Sequence, residues 1–261
     1  PQTWHHGLVA RWWSEFNTGG PEIDYFRAFV ETGGGPSLDA ACGTGRLLIP
    51  YLRAGLDVDG CDISEDMLAL CRANSAVHGL NPQLYRQALH ELNLPRTYAT
   101  VIVCGSFGLG GERAQDQQAL SVIHHHLEPR GKLVFDISLP YADSEDWRLW
   151  LSEDRALLPQ PWPGEGRRKR AADGDEIEIR TRTSSFDPLL QVVTWQIQAT
   201  LLRDGQELRR EEYSLRSVLY FRNELVDMLS KAGFAEVAVL DGYTDSPATS
   251  ASTTLTFVGT A

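Results

Sequence analysis

The stretch Leu38-Asp39-Ala40-Ala41-Cys42-Gly43-Thr44-Gly45 decides the fold of this 261-residue chain. It follows the breaker Gly33-Gly34-Gly35-Pro36, and we expect it to end a strand and open a helix near residues 46–54. Glycines at such a strand end let the backbone turn tightly and let a ligand approach the main chain, because no Cβ stands in the way. On its own, the loop indicates a nucleotide-like ligand no more strongly than a simple tight turn.

A carboxylate at the end of the second predicted strand makes the ligand more specific. Asp62 lies 17 residues beyond Gly45, where a carboxylate can accept hydrogen bonds from both hydroxyls of a ribose. The alternative, that Asp62 caps the next helix, is weaker because Ser64 already supplies a cap and Glu65 and Asp66 suit the first turn. The loop and Asp62 together predict an adenosine ligand.

Predicted strands and helices alternate along the first half of the chain. Two short helices occupy residues 1–36, and the later segments follow in pairs: strands near 37–41, 57–61, 83–87, 100–104 and 132–137, with helices near 46–54, 64–78 and 112–127. This alternation is typical of βαβ units around a parallel sheet.

The alternation breaks after Pro140. Three extended runs, 176–186, 190–202 and 207–219, are separated by the turn signals Asp187-Pro188 and Asp204-Gly205. We therefore predict an insert at residues 141–220 with three antiparallel strands, which serves either as a substrate lid or as a dimer contact. The basic run 167–170 ahead of these strands is interpreted as a solvated loop rather than as a substrate-steering patch.

The length suits a single elaborated domain. We expect an N-terminal helical cap (residues 1–36), a ligand-binding core (37–140), the insert (141–220), and a C-terminal segment (221–261) with the last two strands of the core sheet. The C-terminal segment should begin with a helix near 222–232 that stops at Gly233. We expect a monomer or a homodimer.

Charge and composition exclude several classes of partner. The formal net charge is −11, which opposes binding to a phosphate backbone, so we expect no nucleic-acid partner. No apolar run is long enough for a membrane span and the N-terminus lacks a signal-peptide pattern, so we expect no membrane partner and a cytoplasmic location. The four cysteines form no CxxC pair, and His124, His125 and His126 point in three directions on a helix, so we expect no metal site.

Three motifs in combination resemble the class I S-adenosylmethionine-dependent methyltransferases, in their small-molecule branch. LDAACGTGRLLIPYL (residues 38–52) is similar to the first motif of that family, VDGCDISEDML (58–68) to the second, and HLEPRGKLVFDI (126–137) to the region of its fifth strand. The family pattern of an acidic residue and three alternating glycines appears here as Asp39, Ala41, Gly43 and Gly45. The resemblance implies a Rossmann-like, mostly parallel seven-stranded α/β sheet with helices on both faces and an antiparallel β insert after the fifth strand.

The resemblance also implies the cofactor S-adenosylmethionine, with S-adenosylhomocysteine as product, and a set of cofactor-binding residues. Asp39 would orient the loop and the amino group of the methionine portion, Asp62 would bind the ribose, and Ile63 and Met67 would pack against adenine. Trp12 or Trp13 would either close over the cofactor or lie buried in a helix interface. The remaining implied positions are Ala41, Gly43, Gly45, Ala88, Leu89, Cys104 and Gly105.

Methyl transfer to a small-molecule nitrogen, oxygen or carbon by in-line displacement is therefore the expected activity. Holding the two reactants in line achieves much of it, and only a hydroxyl acceptor needs a base. Candidate catalytic residues are His90, Glu91, Tyr141 and Tyr220, because they fall at strand ends or where the insert rejoins the sheet.

Two alternatives remain open from the sequence. A nicotinamide-dependent oxidoreductase would want GxGxxG, and Arg46-Leu47-Leu48 follows Gly45 without a third glycine. Ala41 and Ala88 leave open a second alternative, a non-catalytic protein that binds S-adenosylmethionine. Gly43, Gly45 and Asp62, which are present as in the family pattern, disfavour it. Base methylation of DNA is disfavoured because CGSFGLGG (residues 104–111) lacks the Pro-Pro-aromatic pattern.

Overall fold

The computed structural model of the chain describes residues 3–261. Its strands in that range are β1 (Ser37–Ala40), β2 (Val58–Asp62), β3 (Leu84–Arg86), β4 (Tyr98–Val103), β5 (Leu127–Ser138), β6 (Arg167–Arg170), β7 (Glu176–Asp187), β8 (Val192–Arg203), β9 (Gln206–Val218), β10 (Glu236–Asp241) and β11 (Thr254–Thr260). Its helices there are α1 (Gly7–Phe16), α2 (Glu22–Gly33), α3 (Leu48–Arg53), α4 (Glu65–Ala76), α5 (Arg113–His125), α6 (Ser144–Arg148), α7 (Ser152–Arg155) and α8 (Arg222–Ala232), with a 3₁₀ turn at Leu89–Glu91.

Within residues 3–261, seven of the strands form the main sheet, in the order β10-β11-β5-β4-β1-β2-β3. The strands from β1 to β5 pair in parallel, whereas β11 runs antiparallel to both β5 and β10. The predicted α/β fold, with a mostly parallel seven-stranded sheet, is confirmed.

Helices cover both faces of this sheet, which explains why its central strands are apolar without interruption. In β4, Val101 faces the cluster that contains Leu120 of α5 and Leu225 of α8, whereas Ile102 faces the cluster that contains Phe26 of α2. All six residues of β4 are buried, as expected for a parallel strand with a helix layer on each side. The carboxyl edge of the sheet is thereby left open between the two layers.

The antiparallel insert has four strands in the described chain, in the order β6-β7-β8-β9, and the prediction of three was wrong. The additional strand is the basic run Arg167–Arg170, which pairs antiparallel with residues 176–179 of β7 and is not a loop. All four of its side chains are exposed, so the apolar alternation that identifies a strand is missing. Charged side chains of this kind are typical of sheet edges, where they oppose pairing with another chain.

Apolar packing and backbone pairing both attach the insert to the rest of the chain. Leu8, Val9 and Trp12 of α1 pack on its apolar face, against Ile177 of β7 and Ile197 of β8. At its other end, the β9 backbone pairs with the loop that follows β4. Gly110 N donates to the Arg216 carbonyl at 2.7 Å, and Val218 N donates to the Gly108 carbonyl at 2.9 Å. The insert therefore supports the loop at the open edge of the main sheet.

Membrane insertion has no helical candidate in the described part of the chain. Across residues 3–261, no helix combines the length and the hydrophobicity that a bilayer span requires.

Ala41 is a strained residue at the end of β1. Its φ of 64° places it in the left-handed region, which costs a residue with a Cβ about 1–2 kcal/mol relative to glycine. Replacing Ala41 by glycine removes this strain. Part of the resulting stabilisation is lost, because glycine gives the unfolded chain more conformational entropy. We predict that Ala41→Gly raises the free energy of unfolding by about 0.5–1 kcal/mol in urea denaturation.

The control for this prediction is the neighbouring residue. Ala40 is fully buried in β1, so Ala40→Gly should lower the free energy of unfolding by about 1 kcal/mol. Destabilisation of the same size by both variants would show that the Ala41 backbone is not strained.

Candidate functional site

A cleft lies at the carboxyl ends of β1, β2 and β4, the edge where parallel α/β sheets bind their ligands. Its walls come from the glycine loop, the start of α4, the 3₁₀ turn, the loop after β4 and the first turns of α5. The N-terminal segment contributes Thr3, His5, Trp13 and Asn17. None of residues 141–220 lines the cleft, so the insert supports its wall without forming it.

Asp62 connects two walls of the cleft. Its Oδ2 accepts a hydrogen bond from Gly43 N at 3.0 Å and its Oδ1 accepts one from Ser64 N at 2.8 Å. Burial raises the pKa of Asp62, although these backbone amides oppose the rise. Ser64 caps α4 by accepting from Met67 N, as the sequence predicted, so Asp62 stays available to the cleft.

Asp39 is the second carboxylate at the glycine loop. It is 2% exposed, and its Oδ2 has no hydrogen-bond partner in residues 3–261. Burial, followed by the charge of Asp62, raises the pKa of Asp39 to about 7. A buried carboxylate oxygen without a partner is costly, and a cation or an N–H donor from a ligand would satisfy it.

Most of the predicted cofactor positions are brought together along this cleft. The positions that line it are Asp39, Ala41, Gly43, Asp62, Ile63, Met67, Ala88, Leu89, Cys104 and Gly105. Contact of each with a cofactor stays a prediction.

Two of the predicted cofactor positions are not on the cleft wall. Trp12 of α1 is 4% exposed and packs against the insert, where the Lys169 ammonium lies 5.5 Å from its ring. Its neighbour Trp13 lines the cleft instead. Gly45, at φ 90°, lies behind the loop, where a Cβ would come within 2.8 Å of Ile49 Cδ1 and 2.9 Å of Cys71 Sγ. Its glycine is required for packing against α3 and α4.

Of the four candidate catalytic residues, only His90 lines the cleft. The Glu91 side chain is 71% exposed and Tyr141 is 47% exposed, and both lie outside it. Tyr220 is buried behind the wall and donates a hydrogen bond to Asp116 Oδ2 at 2.7 Å. Asp116 itself lines the cleft, so Tyr220 is connected to the cleft only through its hydrogen bond to the Asp116 carboxylate.

Sequence reasoning missed Arg46. It is the only arginine or lysine among the cleft-lining residues of the described chain. Its Nη1 pairs with Glu22 of α2, and its Nη2 lies 3.5 Å from Cys104 Sγ. The sequence signal for Arg46 is its position directly after the glycine loop, where a side chain starts close to a ligand bound at that loop.

The N-terminal segment Thr3–His6, called the strap, lines the cleft through Thr3 and His5. The His5 carbonyl accepts a hydrogen bond from Ser64 Oγ, and the Trp4 ring lies 6.4 Å from that of Trp195 in β8. Burial, followed by the nearby His6, lowers the pKa of His5 to about 4, so its imidazole is neutral at physiological pH. The strap thus joins the helix cap beside Asp62 to the insert.

No group of three or more His, Cys, Asp or Glu side chains within residues 3–261 is placed to hold a metal ion. His124 packs its ring against Phe234, and His126 Nε2 accepts a hydrogen bond from Leu94 N at 3.1 Å. Two of the consecutive histidines therefore have structural contacts.

Comparisons with known proteins match this chain to methyltransferases. Residues 38–131 match the family model of a methyltransferase domain. A provisionally named methyltransferase of Geobacillus sp. strain WCH70 is 32% identical over 105 residues, which cover 40% of this chain and 42% of that protein. The match thus spans about two fifths of the length of this curated relative.

Solved structures resemble the chain over nearly its whole length. An S-adenosylmethionine-dependent methyltransferase from Clostridium acetobutylicum ATCC 824 has a TM-score of 0.69 at 18% identity, covering 91% of this chain and 89% of that chain. A sugar N-methyltransferase from Streptoalloteichus sp. ATCC 53650 has a TM-score of 0.66 at 19% identity, covering 92% and 86%. At these identities the likeness shows the fold.

Proposed function

We propose that this chain, which carries the methyltransferase domain and the fold of the class I S-adenosylmethionine-dependent methyltransferases, methylates a small-molecule acceptor. The observation that carries the proposal is that two carboxylates, Asp39 and Asp62, lie at the same glycine loop. One carboxylate has an unpartnered buried oxygen, and the other ends the second strand, where a ribose is expected.

The nucleoside end of the cleft fits adenosine. Asp62 would accept hydrogen bonds from the ribose hydroxyls with the lone pairs that Gly43 N and Ser64 N leave free. Ile63 and Met67 line the wall next to it and would contact adenine. Residues 87–90, directly after β3, include no acidic side chain that could face the adenine amino group. We therefore propose that the main chain at 88–89 binds this amino group.

The amino-acid end of the cleft fits the methionine portion. The unpartnered oxygen of Asp39 would accept from the α-ammonium group. Arg46 would bind the α-carboxylate, because a planar guanidinium matches a carboxylate and no other arginine or lysine of the described chain lines the cleft. When bound, S-adenosylmethionine supplies an electrophilic methyl group on a sulfonium, which we place next to Cys104 and Gly105.

We propose nitrogen as the acceptor atom, ahead of oxygen and carbon. Of the structural neighbours, the one from Streptoalloteichus is described as a sugar N-methyltransferase. Holding the acceptor in line with the methyl group supplies much of the catalysis, and an amine can react without a dedicated base once it is neutral. A nicotinamide-dependent oxidoreductase is disfavoured, since Arg46 starts directly after Gly45 without the third glycine of that fingerprint.

The role of Asp62 is tested by removing its carboxylate. We predict that Asp62→Ala weakens S-adenosylmethionine binding by more than tenfold in titration calorimetry, because two ribose hydrogen bonds lose their acceptor. Glu65→Ala, which removes an exposed carboxylate from the first turn of α4, should leave the affinity unchanged. An unaltered affinity in the Asp62 variant would place the ribose elsewhere.

Arg46 separates recognition of the amino-acid portion from recognition of the nucleoside. We predict that Arg46→Ala weakens S-adenosylhomocysteine at least tenfold but changes the affinity for 5′-methylthioadenosine, which lacks the amino-acid portion, by less than twofold. The exposed Arg53 on α3 provides the matched control, Arg53→Ala. Equal weakening of both ligands would mean that Arg46 only maintains the shape of the cleft.

A further inference from the structure

A third carboxylate, Asp116, lines the cleft away from the glycine loop. It lies in the first turns of α5, and His90 and Gln115 line the same part of the cleft, with His90 Nε2 and Gln115 Nε2 at 3.3 Å from each other. The cofactor placement described above uses none of these three side chains. They therefore form a polar surface that is available to another molecule.

The Asp116 carboxylate is held in one orientation. Its Oδ2 accepts a hydrogen bond from the Tyr220 hydroxyl at 2.7 Å, and Tyr220 is only 3% exposed. The Arg113 guanidinium stacks over the Tyr220 ring, 4.6 Å from its centroid. Within residues 3–261, no side chain or backbone N–H donates to Asp116 Oδ1. One oxygen is thus fixed by the protein and the other has no protein donor.

The cations nearest to Asp116 are engaged by other carboxylates. Arg113 pairs with Glu224 at 3.1 Å, and Arg216 pairs with Glu112 at 3.3 Å. Burial raises the pKa of Asp116 to about 6, whereas the Tyr220 hydrogen bond and the charges of Arg113, His90 and Arg216 oppose the rise. At neutral pH the group is therefore mostly ionised.

We propose that Asp116 binds the amino group of the methyl acceptor, and that this enzyme selects acceptors which arrive as ammonium cations. Before methyl transfer the bound ammonium releases one proton to solvent, and the freed nitrogen lone pair forms the N–C bond while the methyl–sulfur bond of the sulfonium breaks and its electron pair stays on sulfur. The inference rests on the proposed function and deepens it. A free carboxylate oxygen gains a charge-assisted hydrogen bond from an ammonium group, which is about twice as strong as a bond between neutral groups. Arg46, the one arginine or lysine that lines the cleft in the described chain, is assigned above to the carboxylate of the cofactor, so Asp116 has no cleft-lining arginine or lysine as its partner.

The acceptor is unidentified, so the test uses ligands that are anchored by the cofactor part of the cleft. These are S-adenosylhomocysteine analogues in which a nitrogen replaces the sulfur and carries an arm of two, three or four carbons. Each arm ends in an amine or, as its matched partner, in a hydroxyl. Dissociation constants for both are measured by calorimetry at pH 7.5.

We expect the amine arm of at least one length to bind the wild-type protein at least tenfold more tightly than the hydroxyl arm of that length. Asp116→Asn should abolish this preference while the hydroxyl arm keeps its affinity. Asp227→Asn, which removes an exposed carboxylate on α8, controls for net charge and should keep the preference.

The pH dependence of the preference provides a second measurement. It should disappear below a pH of about 6, because Asp116 takes up a proton while the amine arm stays charged. Tyr220→Phe removes a hydrogen bond that favours the ionised carboxylate, so the midpoint should move to higher pH. A merely structural role for Tyr220 would leave the midpoint unmoved.

The outcomes are distinct. Equal binding of amine and hydroxyl arms at every length, or a preference that survives Asp116→Asn, overturns the inference. If neither the analogues nor S-adenosylhomocysteine bind at all, the proposed function itself fails, and this inference fails with it.

Discussion

The cleft depends on the carboxylate of Asp62, which accepts one backbone amide from the glycine loop and another from the entry to α4. These two segments follow different strands, so a single side chain fixes the distance between them. Burial raises the pKa of both Asp39 and Asp62, and the charge of Asp62 raises that of Asp39 further. Two buried carboxylates at one loop favour a ligand that brings positive charge and hydrogen-bond donors.

Features that depend on local chain geometry could be predicted from the sequence. Gly43 and Gly45 both adopt positive φ, as a tight strand-to-helix turn requires, and Asp62 ends β2 as expected. The helix Arg222–Ala232 has the predicted bounds, because the Glu224 carboxylate accepts a hydrogen bond from Phe221 N at its start and Gly233 ends it. These signals lie within a few residues of the structure that they specify.

Features that depend on contacts between distant segments could not be predicted. Trp12 and Trp13 are neighbours on one helix and point about 100° apart, so the docking of α1 on the insert decides which of them reaches the cleft. Asp116 acquires its orientation from Tyr220, 104 residues later in the chain. The edge strand Arg167–Arg170 is specified by its partner β7, where Glu178 pairs with Arg168 and Glu176 pairs with Arg170 across the two strands.

The most direct test of the central claim is which ligand the cleft binds. Titration calorimetry at pH 8, where Asp39 is ionised, should show saturable binding of S-adenosylmethionine and S-adenosylhomocysteine and no binding of NAD. Saturable binding of NAD, with neither sulfur-containing ligand bound, would contradict the account.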